Sequence, residues 1–371
     1  MPTVIHSVNP YLEPTTLWIH DQIRSHIRYR PIVYARYVRN RERFPVERLV
    51  DFTRGNAIRR FCDQVVFRLK GTYPRYGDRA RLDGADLIHA HFGQEGFRCL
   101  AAKRTAKIPL VTTFYGFDVS ALPKIPVWKS RFKRLFAEGD LFLAEGPYMA
   151  ANLCKIGCPE SKVRVQTIGI DLDAFPYRAP SERDGNEILM YASLREKKGH
   201  RYGIDAFKKA SELNPDLRLT IIGDGPLRPQ LERQARDSGL EDRVTFMGNL
   251  PHDACIDVVG KANTLLYPSL TASDGDTEGG APVGILEAMA SGLPIVSTRH
   301  ADIPFVMKDG DCGWLANERD VDGLAEGLQA SLSDPEEAEK RAEAGREAVE
   351  ARHTLESRAR SLESHYDEVL R

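Results

Sequence analysis

Residues 277–298 read TEGGAPVGILEAMASGLPIVST, and their order decides the fold. Glu278 and Glu287 bracket a turn made of Gly279, Gly280, Ala281 and Pro282; a small-residue helix from about Val283 to Ala290 and a β-branched strand ending at Thr298 follow. Two glycines and a proline cannot continue a helix, so the chain turns there and presents backbone N–H groups at the helix start. The helix dipole adds roughly half a positive charge at that end, which suits a phosphate. Glu287, inside the helix, can aim a carboxylate at hydroxyl groups, and a sugar nucleotide carries both kinds of group. A plain helix start, with Glu278 as the acid favoured near the positive end, explains the same residues without a ligand.

Outward from this stretch, apolar strand-like runs alternate with helical segments: ADLIHAH (85–91), IPLVTTF (108–114), DLFLA (140–144), KVRVQTIG (162–169), EILMYAS (187–193), LRLTIIG (217–223), RVTFMG (243–248), NTLLYPS (263–269) and LPIVST (293–298). That alternation predicts α/β architecture with parallel sheets covered on both faces. A chain of 371 residues suggests two domains, each with its own core. The proline- and charge-rich DLDAFPYRAPSERDG (171–185) reads as the linker. Two doubly wound, Rossmann-like domains facing across a cleft are therefore expected, with ligands at the carboxyl ends of their strands.

The stretch EGGAPVGILEAMASGLPIVSTRHADIP (278–304) resembles the signature of the retaining glycosyltransferases of family 4 type, which are two-domain GT-B enzymes. HSVNPYLEPTTLWI (6–19) and HAHFGQEG (89–96) extend the likeness over nearly the whole chain, toward bacterial exopolysaccharide enzymes of the colanic-acid type. The resemblance implies an acceptor-binding domain over 1–172, a nucleotide-sugar domain over 173–354, and a terminal helix over 355–371 that packs back on the first. Leu355, Leu362, Tyr366 and Leu370 have the spacing of such a helix. It implies transfer of a hexose from a UDP- or GDP-sugar to a saccharide or lipid-linked acceptor, with no cofactor beyond that substrate and no nucleic-acid partner.

Carried over residue by residue, the resemblance puts Glu278 near the sugar and Glu287 on the ribose hydroxyls. The family places seven residues between these glutamates and this chain has eight, one of them an extra glycine. Either the loop bulges with Glu278 in place, or the register slips and Asp276 or Glu278 shares the position. Lys198, followed by Gly199, matches the phosphate-contacting lysine, and a lysine is a point charge suited to a diphosphate leaving group. The family's arginine five residues earlier is Ser193 here, and Arg195 is the candidate substitute. Gly223 and Gly225 of GDGP match the turn lining the nucleotide pocket, and Gly279 to Pro282 the donor loop. His91, last in its strand and expected at the site's edge, is the candidate for orienting the hexose. Asp118 matches the family's acid, while Tyr115 stands where a histidine is common. Asp274-Gly275-Asp276 spells a D-x-D, but the lysine and helix start already neutralise a diphosphate, so no metal is expected. A sugar-nucleotide epimerase or phosphorylase of the same plan, and a non-catalytic nucleotide-sugar binder, stay open as alternatives.

The net charge of −1 excludes a globally basic nucleic-acid binder. Six cysteines without C-x-x-C spacing point to reduced thiols and a cytoplasmic chain. No run approaches the ~20 apolar residues that a spanning helix needs. Charge is uneven, however: residues 20–70 hold twelve arginines and Lys70 against five acids. KIPVWKSRFKRLF (124–136) interleaves Trp128, Phe132 and Phe136 with cations, so peripheral contact with an anionic membrane on the inner face is expected to use it, unless its aromatics sit in the core.

Overall fold

A computed structural model describes residues 1–13, 16–54, 57–183, 185–280 and 282–371. Ala281, and residues 14, 15 and 184 of the stretches quoted above, lie outside the described residues. The chain divides into two compact units, Met1–Gly169 with Leu355–Arg371, and Ile170–Thr354.

The first unit holds β1 (Thr3–Ser7), β2 (Arg30–Ala35), β3 (Leu49–Asp51), β4 (Leu87–His91), β5 (Leu110–Thr113), β6 (Leu141–Ala144) and β7 (Val163–Val165). They form one parallel sheet in the order β3-β2-β1-β4-β5-β6-β7. The second unit holds β8 (Glu187–Tyr191), β9 (Arg218–Ile222), β10 (Val244–Gly248), β11 (Thr264–Tyr267), β12 (Ile295–Thr298) and β13 (Trp314–Ala316), parallel in the order β10-β9-β8-β11-β12-β13. Both are doubly wound, Rossmann-like sheets of the GT-B class, as the alternating pattern predicts. In each, the direction of winding reverses beside the first strand, between β1 and β4 and between β8 and β11. Chains leaving two adjacent strands in opposite directions open a crevice there, which is where such sheets bind ligands.

Every run quoted above contains a strand, and four strands, β1, β2, β3 and β13, lie outside those runs. β2 carries Pro31 at its second position amid arginines, and β3 and β13 are three-residue strands at sheet edges, too short to show a period.

The terminal helix Leu355–Leu370 belongs to the first unit, where Leu362 and Tyr366 pack with Val4, Leu87, Val111, Leu141 and Leu143. The stretch 171–183 is fastened to the second unit by Arg183. Its buried guanidinium donates to the carbonyls of Val259 (3.1 Å), Gly260 (3.2 Å), Ala262 (2.8 Å) and Ser291 (2.7 Å).

Candidate functional site

The carboxyl ends of β8 and β11 bring together residues eighty positions apart. After β8 the chain makes a single turn, Glu196–Lys198, and Gly199 then starts the helix His200–Leu213. Gly199 has φ +68°, and a Cβ there would stand 1.8 Å from the Pro268 carbonyl oxygen. Only glycine fits, so this contact clamps the lysine turn against the exit of β11. Gly199→Ala is expected to cost more than about 2 kcal/mol of stability, checked by the denaturation midpoint, because both the left-handed backbone and the collision must be relieved.

Held this way, the Lys198 Nζ lies 2.7 Å from Glu278 Oε1 and 2.8 Å from Oε2, and donates to the Tyr267 hydroxyl at 3.1 Å. Ser269 Oγ donates to Glu278 Oε1 at 2.8 Å. The Glu278 backbone N–H donates to His300 Nε2 at 3.0 Å, which leaves the His300 proton on Nδ1, donated to Glu318 at 2.6 Å. Burial pushes the Glu278 carboxyl up, but the charges of Lys198 and Lys197 outweigh it and hold the group below the ordinary carboxylate range. Burial likewise pulls the Lys198 amine down, and the Glu278 charge more than reverses this. The result is a buried, fully ionised lysine–glutamate pair, with the Tyr267 phenol raised by burial to about 12. Behind it sits His200, buried, with neither ring nitrogen hydrogen-bonded among the described residues and its pKa lowered to about 3 by burial and then by Lys198.

Around this pair, Gly279 and Gly280 form a buried bend, and Pro282 precedes the helix Val283–Ala290. Glu287 is buried on the same helix, and its charge contributes, after burial, to raising the Tyr191 phenol. Ser193 is half-buried at the end of β8, whereas Arg195 is exposed and, among the described residues, makes no side-chain hydrogen bond to the pair. Gly223 and Gly225 press on the same turn: Cβ atoms there would meet the carbonyl oxygens of Ala192 at 2.0 Å and Leu194 at 2.6 Å. The D-x-D carboxylates are otherwise engaged, Asp276 with Lys197 at 3.1 Å and Asp274 with the Asp276 N–H at 2.8 Å.

In the first unit, His91 ends β4 as expected, but its imidazole is fully buried rather than at an edge. The rings of His6, His89 and Tyr115 pack around it. His91 Nδ1 meets the half-buried Tyr115 hydroxyl at 2.7 Å, and its Nε2 meets His6 Nδ1 at 2.9 Å; His6 Nε2 meets His26 Nε2 at 2.9 Å, and His26 Nδ1 meets Glu363 at 3.3 Å. Burial raises the Glu363 carboxyl, yet bonds from His26 and the Arg28 and Ile27 N–H groups hold it at about 2, so it is an acceptor. The carboxylate therefore accepts from His26 Nδ1–H, and the other links of this chain each join two groups that can donate or accept. Both ring nitrogens of His91 thus have protein partners. His6, His89 and His91 place ligand-type atoms within 4.8 Å of one another, a spacing that could hold a metal ion, but every ring nitrogen already has a protein partner. Asp118, expected at the donor, is fully buried and accepts the N–H groups of Gly93 (2.8 Å), Tyr115 (3.0 Å) and Gly116 (3.0 Å), so its observed work is to pin the loops after β4 and β5.

Of the helix Pro126–Glu138, Phe132 and Phe136 are buried in the core and Trp128 packs partly buried against it, while Val127, Lys129, Lys133 and Arg134 are exposed. The aromatics expected at a membrane are thus core residues. No described helix is long and apolar enough to cross a membrane.

The fold and the lysine–glutamate pair define a GT-B glycosyltransferase class. Two family models match end to end, Glycosyltransferase Family 4 over residues 26–174 and Glycosyl transferases group 1 over 175–348, and the chain belongs to this family. Among curated relatives it is 35% identical over 272 residues to WcaL of Escherichia coli (strain K12), named as a colanic acid biosynthesis glycosyltransferase, covering 72% of this chain and 66% of that one. It is 37% identical over 246 residues to the amylovoran biosynthesis glycosyltransferase AmsK of Erwinia amylovora, covering 65% and 60%. The alignments thus span just under two thirds of those relatives' lengths. Among solved structures, Anabaena HepE in complex with UDP superimposes with a TM-score of 0.79 at 18% identity over 99% of this chain and 100% of that one. Sucrose-phosphate synthase from Thermosynechococcus elongatus gives 0.78 at 18% identity over 99% of each chain. At that identity the likeness speaks to fold.

Proposed function

We propose that the chain is a retaining hexosyltransferase that moves a hexose from a UDP- or GDP-sugar to a saccharide or lipid-linked saccharide acceptor in polysaccharide biosynthesis. The observation that carries this is the buried Lys198–Glu278 pair at the reversal point between β8 and β11. A buried ammonium there is a ready partner for a diphosphate, the group on which charge develops as the sugar departs. The names of the colanic acid and amylovoran relatives, and the UDP bound to HepE, support the same substrate class.

In this reading the second unit carries the donor and the first the acceptor. Lys198 and the backbone at Gly279 and Gly280 hold the diphosphate, so the compensating charge comes from the protein rather than a divalent metal. Glu287 takes the ribose hydroxyls. Glu278, kept ionised by Lys198, accepts hydrogen bonds from the hexose hydroxyls and orients the anomeric carbon. The acceptor attacks from the leaving-group face, so no enzyme nucleophile is needed. Arg195 is long enough to join the phosphate contact on ligand binding, and Ser193, Gly223 and Gly225 shape the pocket wall.

A thermal-shift panel with UDP, GDP, ADP and NAD tests this. One diphosphate at a hundred times its dissociation constant should stabilise the fold by about 2.7 kcal/mol. Glu287→Ala should weaken that binding at least tenfold while leaving turnover at saturating donor near the parent value. A shift with NAD alone, or with none of the four, overturns the donor assignment.

A further inference from the structure

The helix Ala57–Lys70 in the first unit presents its apolar residues outward. Ile58 is 75% exposed, Phe61 68%, Val65 37% and Leu69 80%. At about 100° per residue these four fall on one narrow stripe. The opposite side is already used: Phe67 packs on the core and stacks on Tyr73 at 5.5 Å between centroids, and Asp63 pairs with Arg75. Large apolar side chains at this exposure on successive turns of one helix are otherwise a cost to a chain whose remaining aromatics are mostly interior.

The same segment is strongly cationic. Residues 54–70 contain five cations, Arg54, Arg59, Arg60, Arg68 and Lys70, against a single acid, Asp63, whose carboxylate is engaged by Arg75. Arg54, Arg60, Arg68 and Lys70 are exposed. An apolar stripe with arginines and a lysine around it, and with the carboxylates of Asp63 and Asp51 paired with Arg75 and Arg54, matches an anionic lipid surface, where the stripe enters the acyl boundary and the cations meet phosphates. A second copy of this chain is a poor occupant, because two such faces would bring their cations together.

We propose that the helix Ala57–Lys70 is a membrane-seating element that lies in the plane of an anionic bilayer, with Ile58, Phe61, Val65 and Leu69 inserted and Arg54, Arg68 and Lys70 at the headgroups. The helix Pro126–Glu138 does not serve, since its aromatics are core residues. This surface stands independently of the glycosyl-transfer reading and fits its lipid-linked acceptor.

The test is sedimentation of the full chain with phosphatidylglycerol–phosphatidylcholine vesicles, with no donor or acceptor present. The parent protein is expected to bind, more weakly as salt rises. Phe61→Asp with Leu69→Asp should reduce the partition coefficient on the order of a hundredfold. Arg68→Glu with Lys70→Glu should reduce it on anionic vesicles, and Lys129→Glu with Arg131→Glu should leave it unchanged. All these sites are at least partly exposed, so unchanged thermal midpoints separate lost binding from lost folding. Absence of binding by the parent, or binding indifferent to Phe61→Asp with Leu69→Asp, overturns the proposal. So does a parent dimer that those substitutions dissolve without any vesicle binding, which would make the stripe a self-interface.

Discussion

Lys198→Ala is expected to lower kcat by a factor on the order of a hundred to a thousand, the usual loss when one preorganised group facing developing charge is removed. Donor binding should fall less, because Glu287 and the backbone of the Gly279–Gly280 bend are untouched. The same substitution should destabilise the second unit by about 3–5 kcal/mol, since it strands the buried Glu278 carboxylate with only Ser269 as a side-chain donor. These effects separate in a second variant. Lys198→Met with Glu278→Gln removes both charges while keeping an acceptor for Ser269, and should recover most of the stability and none of the turnover. Initial-rate kinetics and denaturation midpoints of the three proteins decide it. A Lys198→Ala enzyme with parental kcat would remove Lys198 from the chemistry, and a double variant that regains turnover would make the pair structural.

The second large effect is acid lability centred on the first unit. His6, His89 and His91 are held neutral, chiefly by burial and then by neighbouring imidazoles, with pKa values well below the ordinary 6.5. Their folded pKa is depressed, so below pH 6.5 the unfolded chain takes up protons that the folded chain refuses, and stability falls as pH falls. Each imidazole contributes at most about 1.4 kcal/mol per pH unit, so the three together reach about 4 kcal/mol per unit. The second unit has His200, which adds about 1.4 kcal/mol per unit between 6.5 and its folded value of about 3. Glu363, depressed to about 2, adds a loss only below the ordinary carboxylate value of 4.5. Against a typical domain stability of about 5–15 kcal/mol, the first unit should unfold at a higher pH than the second. Urea midpoints between pH 7.5 and 5, followed by tryptophan fluorescence and circular dichroism, should show the decline starting near 6.5. A midpoint flat across that range would mean that the histidine cluster opens to solvent or takes a proton in place.

Several features of the site are legible from residue type and spacing. The glycine-proline turn before a small-residue helix, the lysine-glycine after a strand and the two glutamates are local patterns, and each is a statement about backbone freedom or charge that needs no neighbour. What spacing does not carry is which side chains meet. Lys198 and Glu278 are joined only because the reversal of winding puts β8 beside β11, and Tyr267, Ser269 and His300 complete the cluster from strand exits, of which only that of His300 falls within the signature stretch 278–304. The nearest signal for them was position, since each lies within three residues of a strand end.

Two helices show the limit most plainly. Both mix aromatics with cations, and the period of each is helical, yet Trp128, Phe132 and Phe136 point inward while Phe61 and Leu69 point outward. An amphipathic pattern gives a helix an apolar face, and only the elements packed around it determine whether that face finds protein. His91 differs from expectation for the same reason. Its strand-end place followed from the sequence, but its burial depends on His6 from the neighbouring strand and on Tyr115, which pack on its ring.

The sequence by itself determined two parallel α/β domains, their family and the identity of the charged residues at the strand ends, because alternating apolar runs and glycine turns are short-range properties of the chain. The tertiary structure alone decided that Lys198 and Glu278 form a buried ion pair, that the buried His91 ring meets the Tyr115 hydroxyl, and which helix leaves its apolar stripe uncovered. Burial and pairing are set by long-range packing, and a residue's chemistry follows from what surrounds it.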